Sequence, residues 1–241
     1  MKYGIISDIH GNLEALKEVL AVCKQESVDK YLCLGDIVGY GPNPNECIEI
    51  VQDIGAVCVA GNHDWATTAR LDATYFTPDG KSAVTWTREH LTMEGFGFLN
   101  GLPITEKTEE FILVHGTLFE PELFRYQNII AKAPNSFSLM DRQLCFVGHT
   151  HAPLILIQTN DNVYSSSERE LEIAEAAKYI VNVGSVGQPR DGNPLASFCI
   201  YDTDIGMIDI RRVKYDIEEV QKKIIDAGLP GMLAYRLSIG M

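Results

Sequence analysis

The stretch KYGIISDIHGN, residues 2–12, decides the fold: an apolar run gives way to polar Asp8 and His10, then opens a helix at Asn12. KYGIIS reads as a buried strand. In NLEALKEVLAVCKQES (12–27), Leu13, Leu16, Val19, Leu20 and Cys23 fall on one helical face, with Asn12 as N-cap. The pattern then repeats. KYLCLG (30–35) is a second strand, and the turn-rich GYGPNP (39–44) leads into a helix over ECIEIVQDIG (46–55). Asn43 as N-cap, Pro44 at the first helical position and Glu46 at the third mark that helix start. Its inner face is read as Cys47, Ile50, Val51 and Ile54. AVCVAG (56–61) closes the unit as a third strand.

The polar residues after these strands begin at Asp8, Asp36 and Asn62, 28 and 26 residues apart. A strand, crossover helix and parallel strand take ~30 residues, so the three positions are expected at one edge of one sheet. Ligands of open α/β sheets bind beyond the carboxyl ends of strands, which is where these side chains fall.

Further along the rhythm changes. Residues 65–105, with KSAVTWTREHLTMEGFGFL (81–99), read as a helical cap or insertion of one or two helices within a single domain spanning 1–241. EEFILVHG (109–116) and QLCFVGH (143–149) are two more apolar strands ending in histidine. After His151 come APLILIQ, NVYSS, KYIVNVGS, LASFCIYD and MIDIRRV, short β-like runs that suggest antiparallel pairing in a second sheet. DIEEVQKKIIDAGL (216–229) is an amphipathic helix ending before Gly228, followed by a short terminal helix. The fold class is therefore α/β with two sheets.

Composition sets the broad limits. A hydrophobic fraction of 46% and charged fraction of 22% over 241 residues are those of a globular chain with a sizeable core. No apolar run nears the ~20 residues needed to span a bilayer, and the N-terminal stretch is a strand rather than a signal peptide. The six cysteines form no CxxC pair and sit in apolar segments, as expected of buried thiols in a reducing cytoplasm. A net charge of −13 repels a polyanion, so extended nucleic-acid binding is disfavoured while a small phosphorylated substrate is not. Metal dications at a site reverse the local sign. Oligomeric state has no readable signal.

Five of the six histidines, His10, His63, His115, His149 and His151, directly follow apolar runs; His90 sits instead in the TREHLT helix. Such clustering at strand ends points to metal binding or catalysis. Asp8 and His10, two apart on an extended backbone, would face one ion together. Asp36 supplies a carboxylate able to bridge two cations, Asn62 a carbonyl oxygen, and His115, His149 and His151 imidazole nitrogens. This mixed N/O set suits Mn, Fe, Zn, Co or Ni better than Mg or Ca.

DIHGN (8–12), GDIVGYGPNP (35–44), GNHD (61–64), VHG (114–116) and GHTH (148–151), in this order, resemble the calcineurin-like metallophosphoesterases. GYGPNPNE (39–46) and NVGSVGQPRDGNP (182–194) resemble the small bacterial and archaeal members more closely. The resemblance implies a four-layer α/β/β/α sandwich with two mixed sheets. It implies that Asp8, His10 and His151 hold one metal, that Asp36 bridges, and that Asn62, His115 and His149 complete a second site. It also implies that His63 faces the substrate, stabilising developing charge or protonating the leaving oxygen. Asp64 either orients His63 or caps the segment after it.

One departure bears on substrate. Phosphoprotein phosphatases of the superfamily carry GDxVDRG, whereas Gly39 and Tyr40 stand here in place of the acidic residue and the arginine. Arg190, in the turn-rich GQPRDGN, offers a replacement guanidinium or else pairs with Asp191. Tyr40 either stacks on a substrate ring or packs in the core. A dinuclear phosphoesterase acting on small phosphomonoesters or phosphodiesters is the leading reading. A protein-binding scaffold of the same fold and a nuclease using the same centre are the alternatives.

Overall fold

The computed structural model describes residues 1–125, 129–160 and 162–241, with backbone alone for 129–132. Its strands are β1 (Lys2–Ile6), β2 (Lys30–Cys33), β3 (Val57–Cys58), β4 (Thr105–Lys107), β5 (Phe111–Val114), β6 (Leu144–Val147), β7 (Leu154–Thr159), β8 (Asn162–Ser166), β9 (Glu170–Glu172), β10 (Ala177–Asn182), β11 (Ala196–Asp202) and β12 (Met207–Val213). The helices are α1 (Leu13–Gln25), α2 (Pro44–Asp53), α3 (Asn62–Thr67), α4 (Pro78–His90), α5 (Met93–Gly101), α6 (Ile129–Leu139), α7 (Ile217–Asp226) and α8 (Gly231–Ile239).

Two six-stranded mixed sheets run in the orders β3-β2-β1-β11-β12-β9 and β4-β5-β6-β10-β7-β8. In the first, β1, β2 and β3 are parallel, with Ile5 opposite Leu32 and Cys33 opposite Cys58. In the second, β5, β6 and β10 are parallel. The first sheet gains antiparallel strands at one flank, and the second gains them at both, β4 on one side and β7 and β8 on the other.

Side-chain alternation assigns the layers. Ile5 of β1, Phe111 and Leu113 of β5, and Leu144 and Phe146 of β6 meet in one core between the sheets. Their neighbours point the opposite way. Ile6 packs with Leu16 and Val19 of α1 and Val51 of α2, whereas Ile112, Val114, Cys145 and Val147 pack with Phe137 of α6. The result is helix, sheet, sheet, helix, as the resemblance implies.

Three local expectations change. The buried face of α2 is Pro44, Cys47, Ile48 and Val51; Ile50 and Ile54 lie half-buried at its edge. The late strands do not form one sheet. β7, β8 and β10 join the second sheet, but β11 pairs antiparallel with β1 and β12 with β11, extending the first. Alternation within a strand reports which face is apolar and not which sheet receives it. The third strand pairs over only two residues.

The 65–105 stretch contains the helix pair α4 and α5, broken at Leu91 and Thr92; Thr92 caps α5 through a hydrogen bond from Gly95 N–H. No helix of the described residues is long and apolar enough to cross a membrane. All six cysteines are buried and free.

Candidate metal centre

Asp8 and His10 follow β1, Asp36 follows β2, Asn62 opens α3 just after β3, His115 follows β5, and His149 and His151 follow β6. Because β1–β3 belong to one sheet and β5–β6 to the other, the carboxyl edges of both sheets converge. All seven side chains are buried. Asp8, His10, Asp36 and His151 each place one donor atom within 4.8 Å of the others, as do Asp36, His115 and His149. Asp36 is common to both groups.

The local backbone is not extended. Asp8, His10, Asp36, His149 and His151 have φ of 52°, 50°, 52°, 67° and 59°, in the left-handed region. That conformation costs a non-glycine residue about 1–2 kcal/mol. Such outliers concentrate where function over-determines the chain. Asp8 and His10 thus converge through tight turning, rather than through alternation along a strand.

Hydrogen bonds hold these turns together. Asp8 N–H donates to the Gly35 carbonyl and His10 N–H to that of Asp36, both at 3.0 Å, so the first two motifs are zipped side by side. Ser185 Oγ–H and Gly187 N–H both donate to the Asp8 carbonyl, at 2.8 and 2.9 Å. Asp8 Oδ2 accepts from Ser7 Oγ at 2.7 Å and from His149 N–H at 3.0 Å. Gly148 permits that approach: a Cβ there would lie 1.9 Å from Ser7 Oγ.

Each of the four grouped imidazoles donates one ring N–H to a main-chain carbonyl. His10 Nδ1 reaches Val38 at 3.0 Å, His115 Nδ1 reaches Leu34 at 2.7 Å, and His151 Nδ1 reaches Gln188 at 2.6 Å. His149 uses Nε2, reaching Phe124 at 2.9 Å. A carbonyl only accepts, so the tautomer is fixed and the opposite nitrogen is left as a donor to a metal. His10 Nε2 and His151 Nε2 then face each other at 3.1 Å. Two lone pairs that close require a cation or proton between them. Asn62 Oδ1 is also buried with no hydrogen-bond partner among the described residues. The donor set fits divalent metal ions.

Electrostatics agree. Burial by itself raises the Asp8 and Asp36 carboxyls, but the neighbouring histidine charges hold both below the usual carboxylate range. Burial pulls His115 down, yet the charges of Asp36 and Asp8 push it up to about 9. His10 and His151 are lowered by burial, and His149 falls to about 3. Without a metal, His115 supplies the cation that two buried carboxylates need.

His63 lies beside the group, buried, 4.9 Å from the His10 ring and sandwiched by Tyr40 at 4.3 Å and Phe76 at 4.8 Å. Burial lowers it to about 4, partly offset by the Asp36 charge. Gly39 makes its room: a Cβ there would lie 2.4 Å from His63 Nδ1, and φ is +89°. Asp64 makes no hydrogen bond to His63. Its carboxylate accepts the N–H groups of Asp36, Ile37, Val38 and Gly61 at 2.8, 3.0, 3.3 and 3.0 Å. Burial and the Asp36 charge push Asp64 up to about 7 against those donors.

A cleft of about 370 Å³ opens beside the centre, lined by Tyr40, Asn62, His63, Phe76, His149 and Arg190 among others. Arg190 lies 5.5 Å over the Tyr40 ring and donates from Nη2 to Gln188 Oε1 at 2.7 Å. Asp191 pairs with Arg212, not with Arg190. Tyr40 is itself in the core between α7 and α8, with Val220, Ile224 and Leu233. Among the cleft residues that sequence reading missed are Phe76 and Arg236. Neither stands within a motif or at a strand end, so nothing in the local pattern marked them.

The profile of the Calcineurin-like phosphoesterase superfamily domain matches residues 1–206. "Uncharacterized protein MJ0912" of Methanocaldococcus jannaschii is 40% identical over 240 residues, covering 98% of this chain and 97% of that protein. Phosphodiesterase YfcE of Escherichia coli is 26% identical over 215 residues, covering 85% and 89%. The crystal structure of a metallophosphoesterase from Sphaerobacter thermophilus superposes with a TM-score of 0.87 at 38% identity, covering 100% of this chain and 99% of that one. With the domain match spanning most of its length, the chain belongs to the calcineurin-like phosphoesterase superfamily, as a metal-dependent phosphoester hydrolase.

Proposed function

We propose that the protein hydrolyses small phosphomonoesters or phosphodiesters at a dinuclear centre. The observation that carries this is Asp36: it belongs to both donor groups, and Oδ2 stands 3.7 Å from His10 Nε2 and 3.4 Å from His115 Nε2. Asp8, His10, Asp36 and His151 would hold one ion, and Asp36, Asn62, His115 and His149 the other. Two such ions, from Mn, Fe, Zn, Ni or Co, would lower the pKa of a water and neutralise phosphate charge.

The remaining work falls to the chain. His63, kept neutral by burial, gains affinity for a proton when an anionic phosphate enters beside it, and so becomes competent to protonate the leaving oxygen. Arg190 offers its fork to phosphate oxygens. Tyr40 holds Arg190 and the His63 ring in place. Asp64 acts at one remove, fixing the loop that presents Asp36.

The partner is a small phosphorylated molecule, since a net charge of −13 opposes a long polyanion. Buried free thiols suit a reducing cytoplasm. The test is metal-stripped protein assayed with p-nitrophenyl phosphate and its bis-ester after adding Mn²⁺ or Zn²⁺. Hydrolysis that returns with metal and is lost in Asp36→Ala supports the reading. No turnover of either ester by fully metallated protein overturns it.

A further inference from the structure

The last helix, α8, lies beyond the residues that the superfamily domain matches, and yet it reaches the cleft. Arg236, half-buried on α8, donates from Nη1 to Gln188 Oε1 at 3.3 Å. Arg190 donates to that same oxygen from Nε at 3.2 Å and Nη2 at 2.7 Å. Two guanidinium groups from opposite ends of a long chain segment are thus gathered on one buried amide.

Their placement is built. Gln188 is 2% exposed, its N–H donates to Ser185 Oγ at 2.7 Å, and its carbonyl receives His151 Nδ1 at 2.6 Å. The platform under both arginines therefore also orients a residue of the metal centre. The C-terminus is pinned to the Arg190 loop by a hydrogen bond from Gly192 N–H to the Gly240 carbonyl at 2.9 Å. Tyr40 packs against Val220, Ile224 and Leu237, seating α7 and α8 over the site. Burial raises the Tyr40 hydroxyl, and the charges of both Arg190 and Arg236 pull against it, so both fields reach the cleft wall.

We infer that Arg190 and Arg236 form a two-guanidinium subsite that selects dianionic phosphomonoesters over phosphodiesters, with Arg236 as the specificity-determining residue. This rests on the phosphoester reading above. A monoester carries three terminal oxygens and two negative charges near neutral pH; a diester carries two and one. A second guanidinium has an oxygen and a charge to meet only on the monoester. The position that lost the arginine of GDxVDRG is filled by Tyr40, which supports the helix pair that brings an arginine back from the other end of the chain.

The test compares wild type, Arg236→Gln and Arg236→Lys, all metal-loaded, on p-nitrophenyl phosphate and bis(p-nitrophenyl) phosphate. Arg236→Gln is expected to lower kcat/KM on the monoester by roughly 30-fold, mainly through KM, and on the diester by less than about 3-fold. Arg236→Lys should recover part of the monoester loss. Equal losses on both esters, or none on the monoester, overturn the inference. Calorimetry with inorganic phosphate at pH 8 reads the subsite without turnover. A roughly 10-fold weaker affinity in Arg236→Gln supports it, and an unchanged affinity overturns it. If wild type cleaves neither ester, the hydrolytic reading falls, and the phosphate titration alone decides the subsite.

Discussion

Asp36 and Asp64 hold each other's loops: Asp64 Oδ2 accepts the Asp36 N–H at 2.8 Å, while Asp36 Oδ1 accepts the N–H of His63, next to Asp64, at 2.7 Å. The carboxylate shared by the two donor groups is thus clamped by a residue that itself points away from the cleft. Asp64→Ala leaves four buried N–H donors without their acceptor. It should destabilise the metal-free protein by on the order of 3 kcal/mol. Metal affinity should also weaken about 10- to 100-fold, as for other supports of ligand residues. Urea unfolding and a metal titration check both; wild-type stability would remove Asp64 from this role.

Metal binding should be visible as stability. Protein saturated at about 100 times the dissociation constant gains about 2.7 kcal/mol over the stripped form. Asp36→Asn keeps the side-chain volume but removes the charge common to both groups. Its thermal midpoint should no longer respond to Mn²⁺ or Zn²⁺. A full metal-induced shift in the variant would show that Asp36 is dispensable for binding.

The stripped protein should also show a distinctive pH dependence. His115 is raised to about 9 in the folded state, above its ordinary value near 6.5, so its charged form contributes stability that is present below 6.5 and lost as pH rises through 9. His63 and His149 are lowered to about 4 and 3, so their contribution is present above 6.5 and lost as pH falls through those values. Stability of the stripped protein should therefore peak near pH 6.5. In His115→Gln the alkaline decline should flatten, which equilibrium unfolding across pH would register.

Gly39 and His63 offer a way to separate chemistry from metal binding. A Cβ at Gly39 would lie 2.4 Å from His63 Nδ1, so Gly39→Ala must displace that ring. Turnover is expected to fall about 100-fold or more in Gly39→Ala, and similarly in His63→Gln, as for loss of a general acid. Neither should abolish the metal-induced thermal shift. Loss of that shift in His63→Gln would place His63 in the metal centre instead.

The primary sequence by itself determined which residues could meet. Asp8, Asp36 and Asn62 recur after apolar runs at near-constant spacing, and His115, His149 and His151 follow two more such runs. Strand ends are legible because apolar periodicity stops there, and parallel crossovers place those stops at one edge. The tertiary structure decided what spacing does not encode. Left-handed φ at Asp8, His10 and Asp36 depends on hydrogen bonds between separate motifs, such as Asp8 to Gly35 and His10 to Asp36. β11 enters the first sheet by pairing with β1, although nearly two hundred residues separate them along the chain. Arg236 reaches the cleft because α8 docks on Tyr40 and the Gly192 loop, long-range contacts that leave no local period in the chain. Local pattern carries local structure; the meeting of distant segments is set by the burial and hydrogen bonding they achieve together.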